Sequence, residues 1–431
     1  MNLCSAIALA LIALSVEGQE PFRSEVKEVR VPVIVTDSHG RRIYGLKESD
    51  FQVFEDGTPE RIVSFRAEKS PEASLPGDPV AAASTPTGAA DVPLRTYLII
   101  VDTLHTSFAN FAQAQKALGK FFKTEPPGDA QYVLVTIRRE VRVMQDSTRD
   151  PAAILATLRA KSFSKVFLES DASNLANATE QFVALMKTYC NNCACSSSGT
   201  TTDSVMCLGV KQKVPLFLTG FSERSLILNL RFLRQLAEVT RATARIPTSR
   251  TIIFLSDGFN RFPGRELQGV LMGFGPLDRS FQFATTSRDL QPELDAVLKV
   301  ATHDDVKFYT IDSRGIQTQA SIAGAGFAAS TGMDASSGVP MGVLTQLGSA
   351  ARENTDALAL LAHETGGVFF ENSNDLVKGI RQAVTDGRES YVLSYVATNK
   401  AADGKYRRIV VTMKEQRWKV HAKPGYWAAV N

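Results

Sequence analysis

Two apolar runs each end on an aspartate: Tyr97-Leu-Ile-Ile-Val-Asp102 and Thr251-Ile-Ile-Phe-Leu-Ser-Asp257-Gly258. A carboxylate is a hard oxygen donor, and a converging pair can hold a magnesium-like cation that takes oxygen ligands and keeps several waters. Hydroxyls follow the first acid closely, at Thr103, Thr106 and Ser107. Asp102 and Asp257, with one of these hydroxyls, are therefore the candidate metal ligands, with Mg2+ or another divalent cation as candidate cofactor. The same acids have a plainer use, since a strand-end carboxylate also caps the helix that follows it. His105 reads as a polar loop residue, and Asp312, followed by Ser313-Arg314-Gly315, as part of a turn.

Short, wholly apolar runs are expected of strands buried on both faces of a parallel sheet. In such sheets the ligand crevice lies outside the carboxyl ends of the strands, where both acids fall. The texture from 95 to 387 agrees with this. Helices are predicted over 108–123, 151–160, 172–187, 226–243, 290–303, 355–365 and 375–386. Strands are predicted at 131–137, 141–144, 306–312 and 367–370, and alternation of this kind argues for a parallel sheet with helices on both faces. Two segments fall outside the pattern: a cysteine loop at 188–215 and a Gly/Ala/Ser-rich insertion at 315–352 without period. Gly324-Ala-Gly326 lies in the latter with no strand before it, so it is not a dinucleotide fingerprint.

Both ends of the chain read as β-structure. Residues 24–68 carry short alternating strands around the turns Ser38-His-Gly40 and Asp56-Gly57, and 388–428 carry three more strands. Neither set has enough partners alone. Paired, they complete one small antiparallel sandwich, with the α/β unit of 95–387 inserted through a Pro/Ala/Ser/Gly-rich linker at 69–93. Arg407–Met413 is the expected exposed edge strand.

The chain has 431 residues, 44% hydrophobic and 22% charged, with a net charge of +3. That balance gives no indication of a nucleic-acid or anionic-membrane partner. Leu3 to Val16 is apolar and uncharged, too short to span a bilayer and of signal-peptide length, so residues 1–18 are expected to be removed before Gln19. The expected location is periplasmic or extracellular, with no integral membrane span. Cys190, Cys193, Cys195 and Cys207 remain, and in an exported chain they read as two disulfides of open connectivity. In a cytosolic chain the same spacing reads as a zinc knuckle.

Several stretches together resemble one family. They are Val31-Pro-Val-Ile-Val-Thr-Asp37 with Phe51-Gln-Val-Phe-Glu-Asp-Gly57, Ile100-Val-Asp102, Ile253-Phe-Leu-Ser-Asp-Gly258, Leu360-Leu-Ala-His-Glu-Thr-Gly-Gly-Val368 and Gly425-Tyr426. In order and spacing they are similar to von Willebrand factor type A-related proteins of the exported bacterial, acidobacterial-type group. The resemblance implies a Rossmann-like A domain that binds protein or carboxylate-bearing partners through a metal-ion-dependent adhesion site. Its metal motif, D-x-S-x-S with a later threonine and a distal aspartate, maps onto Asp102, Thr106 and Asp257. Leu104 stands where the first serine belongs, and Thr219 or Ser222 is the candidate for the threonine.

No G-x-S-x-G elbow, H-E-x-x-H or P-loop is present, so enzyme activity is not expected. The leading expectation is a non-enzymatic binding module that takes a partner at the Asp102/Asp257 end of the sheet. The alternative is a structural or assembly protein of the cell envelope that uses a sandwich edge, with the A domain as a metal-free scaffold.

Overall fold

The computed structural model of the chain describes residues 28–67, 95–125, 128–168, 171–193, 205–246, 250–274, 287–316, 340–415 and 417–430. The expected signal segment, the 69–93 linker, Cys195 and most of 315–340 lie outside the described residues.

The amino-terminal strands are β1 (Glu28–Thr36), β2 (Phe51–Glu55), β3 (Thr58–Glu60) and β4 (Ile62–Ala67). The α/β unit opens with β5 (Arg95–Asp102), α1 (Phe108–Thr124), β6 (Ala130–Ile137) and β7 (Val141–Thr148). Helices α2 (Pro151–Arg159), α3 (Lys161–Leu168), α4 (Asp171–Cys193) and α5 (Val205–Ala244) follow. The unit continues through β8 (Thr251–Ser256), α6 (Arg265–Gly273), α7 (Gln291–His303) and β9 (Lys307–Asp312). It closes with α8 (Met341–Thr365), β10 (Phe369–Phe370) and α9 (Leu376–Arg388). Four strands end the chain: β11 (Tyr391–Val396), β12 (Tyr406–Met413), β13 (Lys419–His421) and β14 (Gly425–Trp427).

The six-stranded sheet has the order β10-β9-β8-β5-β6-β7 and is parallel except for β7. Strands β8 and β9 are buried along their whole length and β5 nearly so, as their apolar runs require. One face packs on α1, α2 and α9 through Phe111, Phe121, Leu158 and Ile380. The other packs on the second half of α5 with α7 and α8, through Phe232, Leu236, Leu298 and Leu361. This is a mixed α/β architecture with a mostly parallel, helix-flanked sheet.

A second helical layer lies beyond the carboxyl ends of the strands. The first half of α5, the start of α8, and α4 and α6 bury Phe182, Met186, Val214, Leu218, Leu271 and Leu344 together. We call this layer the cap. Helix α5 is 40 residues long, about 60 Å, and runs unbroken from the cap onto the sheet. Its Pro215 is accommodated within the helix. Helices α6 and α8 touch backbone to backbone where a Cβ on Gly273 would strike the Val343 amide, so glycine is needed for the close approach. The cap revises two expectations. Cys190, Cys193 and Cys207 sit on helices rather than in a loop, and 341–352 form the start of α8 rather than an aperiodic insertion. Cys193 and Cys207 are bonded, with Cα atoms 5.2 Å apart, and Cys190 is also disulfide-bonded. These bonds leave no thiolates at those positions for a zinc knuckle. No helix among the described residues is long and apolar enough to cross a membrane.

Both chain ends contribute to two antiparallel sheets, β13-β1-β11-β4 and β14-β12-β2-β3, packed over Val31, Val33, Phe51, Leu393 and Tyr395. The expected edge strand is a correction. Arg407–Met413 belongs to β12, which lies inside its sheet between β14 and β2, while β3 and β4 form outer edges. Glu55, buried on β2, accepts from the hydroxyls of Tyr395 at 2.6 Å and Tyr426 at 3.0 Å, tying the two sheets together.

The sandwich docks at the amino ends of the parallel strands, opposite the cap. Arg42 is paired with the buried Asp386, which also accepts from the Tyr309 hydroxyl at 2.8 Å. Lys423 is paired with Asp305, and Tyr406 donates to Glu364 at 2.9 Å. Removing one partner of a buried ion pair strands the other charge, at a cost of about 3 kcal/mol or more. Arg42→Ala is expected to lower the unfolding free energy by about 3 kcal/mol in urea titration. An unchanged midpoint would show that this pair does not hold the junction.

Candidate functional site

Asp102 closes β5 and is completely buried. Its Oδ1 accepts from the backbone amides of Leu104 at 2.9 Å and His105 at 3.1 Å, which folds the following turn back onto the strand end. Its Oδ2 accepts from His105 Nδ1 at 2.8 Å and from the Ser256 hydroxyl at 2.6 Å. The adjacent strand β8 supplies Ser256, so the carboxylate also ties the two central strands together.

His105 is more than a loop residue. Its Nε2 faces Asn229 Oδ1 at 3.0 Å, and Asn229 is oriented by donating from Nδ2 to the Ser225 carbonyl on α5 at 2.9 Å. The ring meets Phe232 edge-on at 4.7 Å and lies 5.6 Å from Phe259. Burial opposes charge on the ring, but the Asp102 carboxylate and the bonds to Asp102 and Asn229 hold its pKa above the ordinary value.

Asp257 follows β8 and uses only one oxygen. Oδ2 accepts from the Ser107 amide at 3.0 Å and Asn110 Nδ2 at 2.7 Å, while Oδ1 is buried without a partner. The helix cap proper is Ser107, whose hydroxyl accepts from the Asn110 amide. Gly258 then turns with φ of 87°, and a Cβ there would collide with the Asn354 carbonyl of α8. Asp312 makes a two-oxygen pair with Arg314 within its own turn.

Other buried polar atoms at this end of the sheet share the condition of Asp257 Oδ1. Thr106 Oγ1, Ser222 Oγ, Asn260 Nδ2, Ser313 Oγ and Asn354 Oδ1 have no hydrogen-bond partner. Thr106 lies in the turn after β5, Asn260 follows β8, and Ser313 follows β9. Ser222 and Asn354 descend from the cap helices, with Ser222 packed against Gly264. Of the two candidates for the later threonine, Ser222 has its hydroxyl buried beside Gly264 and Thr219 is exposed on α5.

A divalent cation needs free oxygen lone pairs. A carboxylate has about four, and all four on Asp102 are taken by protein donors. Leu104 is buried and brings no oxygen. Thr106 Oγ1 and Asp257 Oδ1 remain free, so the residues as arranged do not fit a cation bound through Asp102.

His105, Ser256, Asn229 and Asn110 were not singled out as site residues from sequence. His105 and Ser256 each had a local signal, since they are polar side chains inside the two aspartate turns. Asn229 had none, because only the fold brings it to His105.

No protein-family model matches the chain, and no curated protein matches it. Among solved structures, the chain is similar to an aerotolerance-related membrane protein from Bacteroides fragilis NCTC 9343 carrying multiple mutations to serine. That likeness has a TM-score of 0.28 at 9% identity, over 68% of this chain and 98% of that one. A pilus adhesin from Lactobacillus rhamnosus GG, in an open conformation, is matched with a TM-score of 0.34 at 8% identity. The match covers 90% of this chain and 48% of the adhesin. Scores this low carry no inference about function.

Burial pushes the Asp257 carboxyl up from 3.8 to about 7, against the bonds from Asn110 and Ser107 that favour its charged form. A carboxyl raised in the folded state adds stability that is complete below its unfolded pKa and is lost as the pH rises through its folded one. Relative to Asp257→Asn, the wild-type protein is therefore expected to lose stability between pH 3.8 and about 7. Denaturant midpoints at stepped pH check this, and parallel profiles for the two proteins would refute it.

Proposed function

We propose that the chain is an exported, non-enzymatic binding module that takes a carboxylate-bearing group of a protein or ligand at the capped end of its sheet. The observation that carries this reading is the set of unpartnered donor atoms there: Thr106 Oγ1, Ser222 Oγ, Asn260 Nδ2 and Ser313 Oγ. Each buried polar group without a partner costs about 1–3 kcal/mol, so several at one strand end favour a partner that supplies the missing bonds. Three hydroxyls and an amide N–H are donors, and a carboxylate accepts from all of them.

The bonding of His105 supports a non-enzymatic role. A general base needs a free lone pair, and both ring nitrogens of His105 face oxygen acceptors. Ser256 donates to Asp102 rather than to the histidine, so the three residues do not form a nucleophile–base–orienter relay. Export is supported by the disulfide chemistry of the cap. The motif resemblance to von Willebrand A-type proteins points the same way.

The alternative, an envelope assembly protein that works through a sandwich edge, has one observation in its favour. β4 is an outer strand with Val63 half exposed, and such an edge can pair with another chain.

The test is retention of an aspartate-rich peptide by the immobilised protein in EDTA. Thr106→Val and Ser313→Ala are each expected to weaken retention about tenfold, the equivalent of about 1.4 kcal/mol. Retention that ignores both substitutions but fails with Val63→Pro would transfer the role to the sandwich edge.

A further inference from the structure

The geometry points to His105 as a resident plug, a side chain whose imidazole fills at Asp102 the place a divalent metal would take and keeps the carboxylate from binding one. The inference deepens the reading above by assigning what occupies that same strand end, and it is tested without any peptide.

Three observations carry it. The first is saturation: Asp102 is fully buried, and its Oδ2 is shared between His105 Nδ1 at 2.8 Å and the Ser256 hydroxyl at 2.6 Å. A metal could reach that oxygen only by expelling the imidazole. The second is the direction of the hydrogen bonds. Asn229 spends its N–H on the Ser225 carbonyl, so its amide oxygen is turned to His105 Nε2. Asp102 Oδ2 is an acceptor on the other side. An oxygen thus faces each ring nitrogen, and the imidazole is held at both ends in the position that covers Asp102 Oδ2. The third is enclosure. Phe232 and Phe259 wall the ring, with the Phe232 contact edge-on, and leave little room beside it for the waters that an octahedral ion would keep.

The arrangement does two things a bound ion would do. It occupies an oxygen of a buried carboxylate, and it cross-links the elements around it, here β5, β8 and α5. It differs in being covalently part of the chain, so its occupancy does not depend on cation concentration or chelators. The two free oxygens nearby, Thr106 Oγ1 and Asp257 Oδ1, are then left for a partner group.

The experiment uses the full chain with Mn2+ as probe, read by the loss of the free-ion electron paramagnetic resonance signal. The wild-type protein is expected to take up no Mn2+ and to keep its melting temperature in EDTA. His105→Ser is expected to gain stoichiometric Mn2+ uptake, because it frees Asp102 Oδ2 and adds a hydroxyl, and His105→Ser/Asp102→Asn is expected to lose it again. A folded His105→Ser that takes up no Mn2+ overturns the inference. Nitrogen-15 spectra of the wild-type imidazole give a second arm that does not depend on any variant folding. Imidazole signals unbroadened by Mn2+ support the inference, and paramagnetic broadening of the His105 signals overturns it. Loss of peptide retention with these results intact would count against the carboxylate-binding reading alone.

Discussion

A charged carboxylate inside a protein must be neutralised and fully hydrogen-bonded, or it will not stay charged. Asp102 meets that demand, and the way it does so organises the upper half of the molecule. Two of its four bonds shape the turn that launches α1. A third holds β8 in register beside β5, and the fourth runs through His105 and Asn229 to α5. Central strands, turn and long helix are therefore fixed to one another by a single side chain.

The anchoring of α5 matters because this helix belongs to two cores. Its second half packs on the sheet, and its first half, beyond Ser222, forms the cap with α4 and α6. Helix α8 does the same from the other side, with Val343 and Leu344 in the cap and Leu358 and Leu361 on the sheet. Two continuous helices that bridge both layers make the cap a rigid extension of the α/β unit. The glycine contact between α6 and α8 and the Cys193–Cys207 bond brace it further. A group that binds at the strand ends thus meets fixed polar atoms from above and below. Preorganised donors lose little freedom when they bind, which favours affinity for a small polar group.

The central strands were legible because nothing but burial explains runs such as Ile99-Ile-Val101, and the two acids were legible because they end such runs. The cap was hidden for an identifiable reason. Its helices pack partly through glycine, as at Gly269 and Gly273, and small residues leave no apolar period to read. A proline inside α5 and a Ser/Thr/Gly-rich stretch before it also resembled loop chemistry. The β12 edge was misjudged because its covering strand, β14, is only three residues long. At the site itself, the partners of Asp102 and His105 come from 154 and 124 residues away in sequence, and no local pattern records such a meeting.

The strands that bracket the α/β unit pair with each other, Ile62 opposite Tyr395 and Ala67 opposite Tyr391. The unit is thus a very long loop on a short antiparallel hairpin, which sets how the chain carries tension. A pull transmitted along the backbone through the sandwich enters at the Ile62–Tyr395 end. The ladder then opens like a zipper, one pair at a time. Parting Ala67 from Tyr391 is the last step, and the ties from the sandwich to Asp386, Asp305 and Glu364 load the amino ends of the parallel strands alongside it. The strands on either side of the unit are thus closed on each other before the parallel sheet is reached, and the strand ends that carry Asp102 and Asp257 lie at the other end of the unit from that closure.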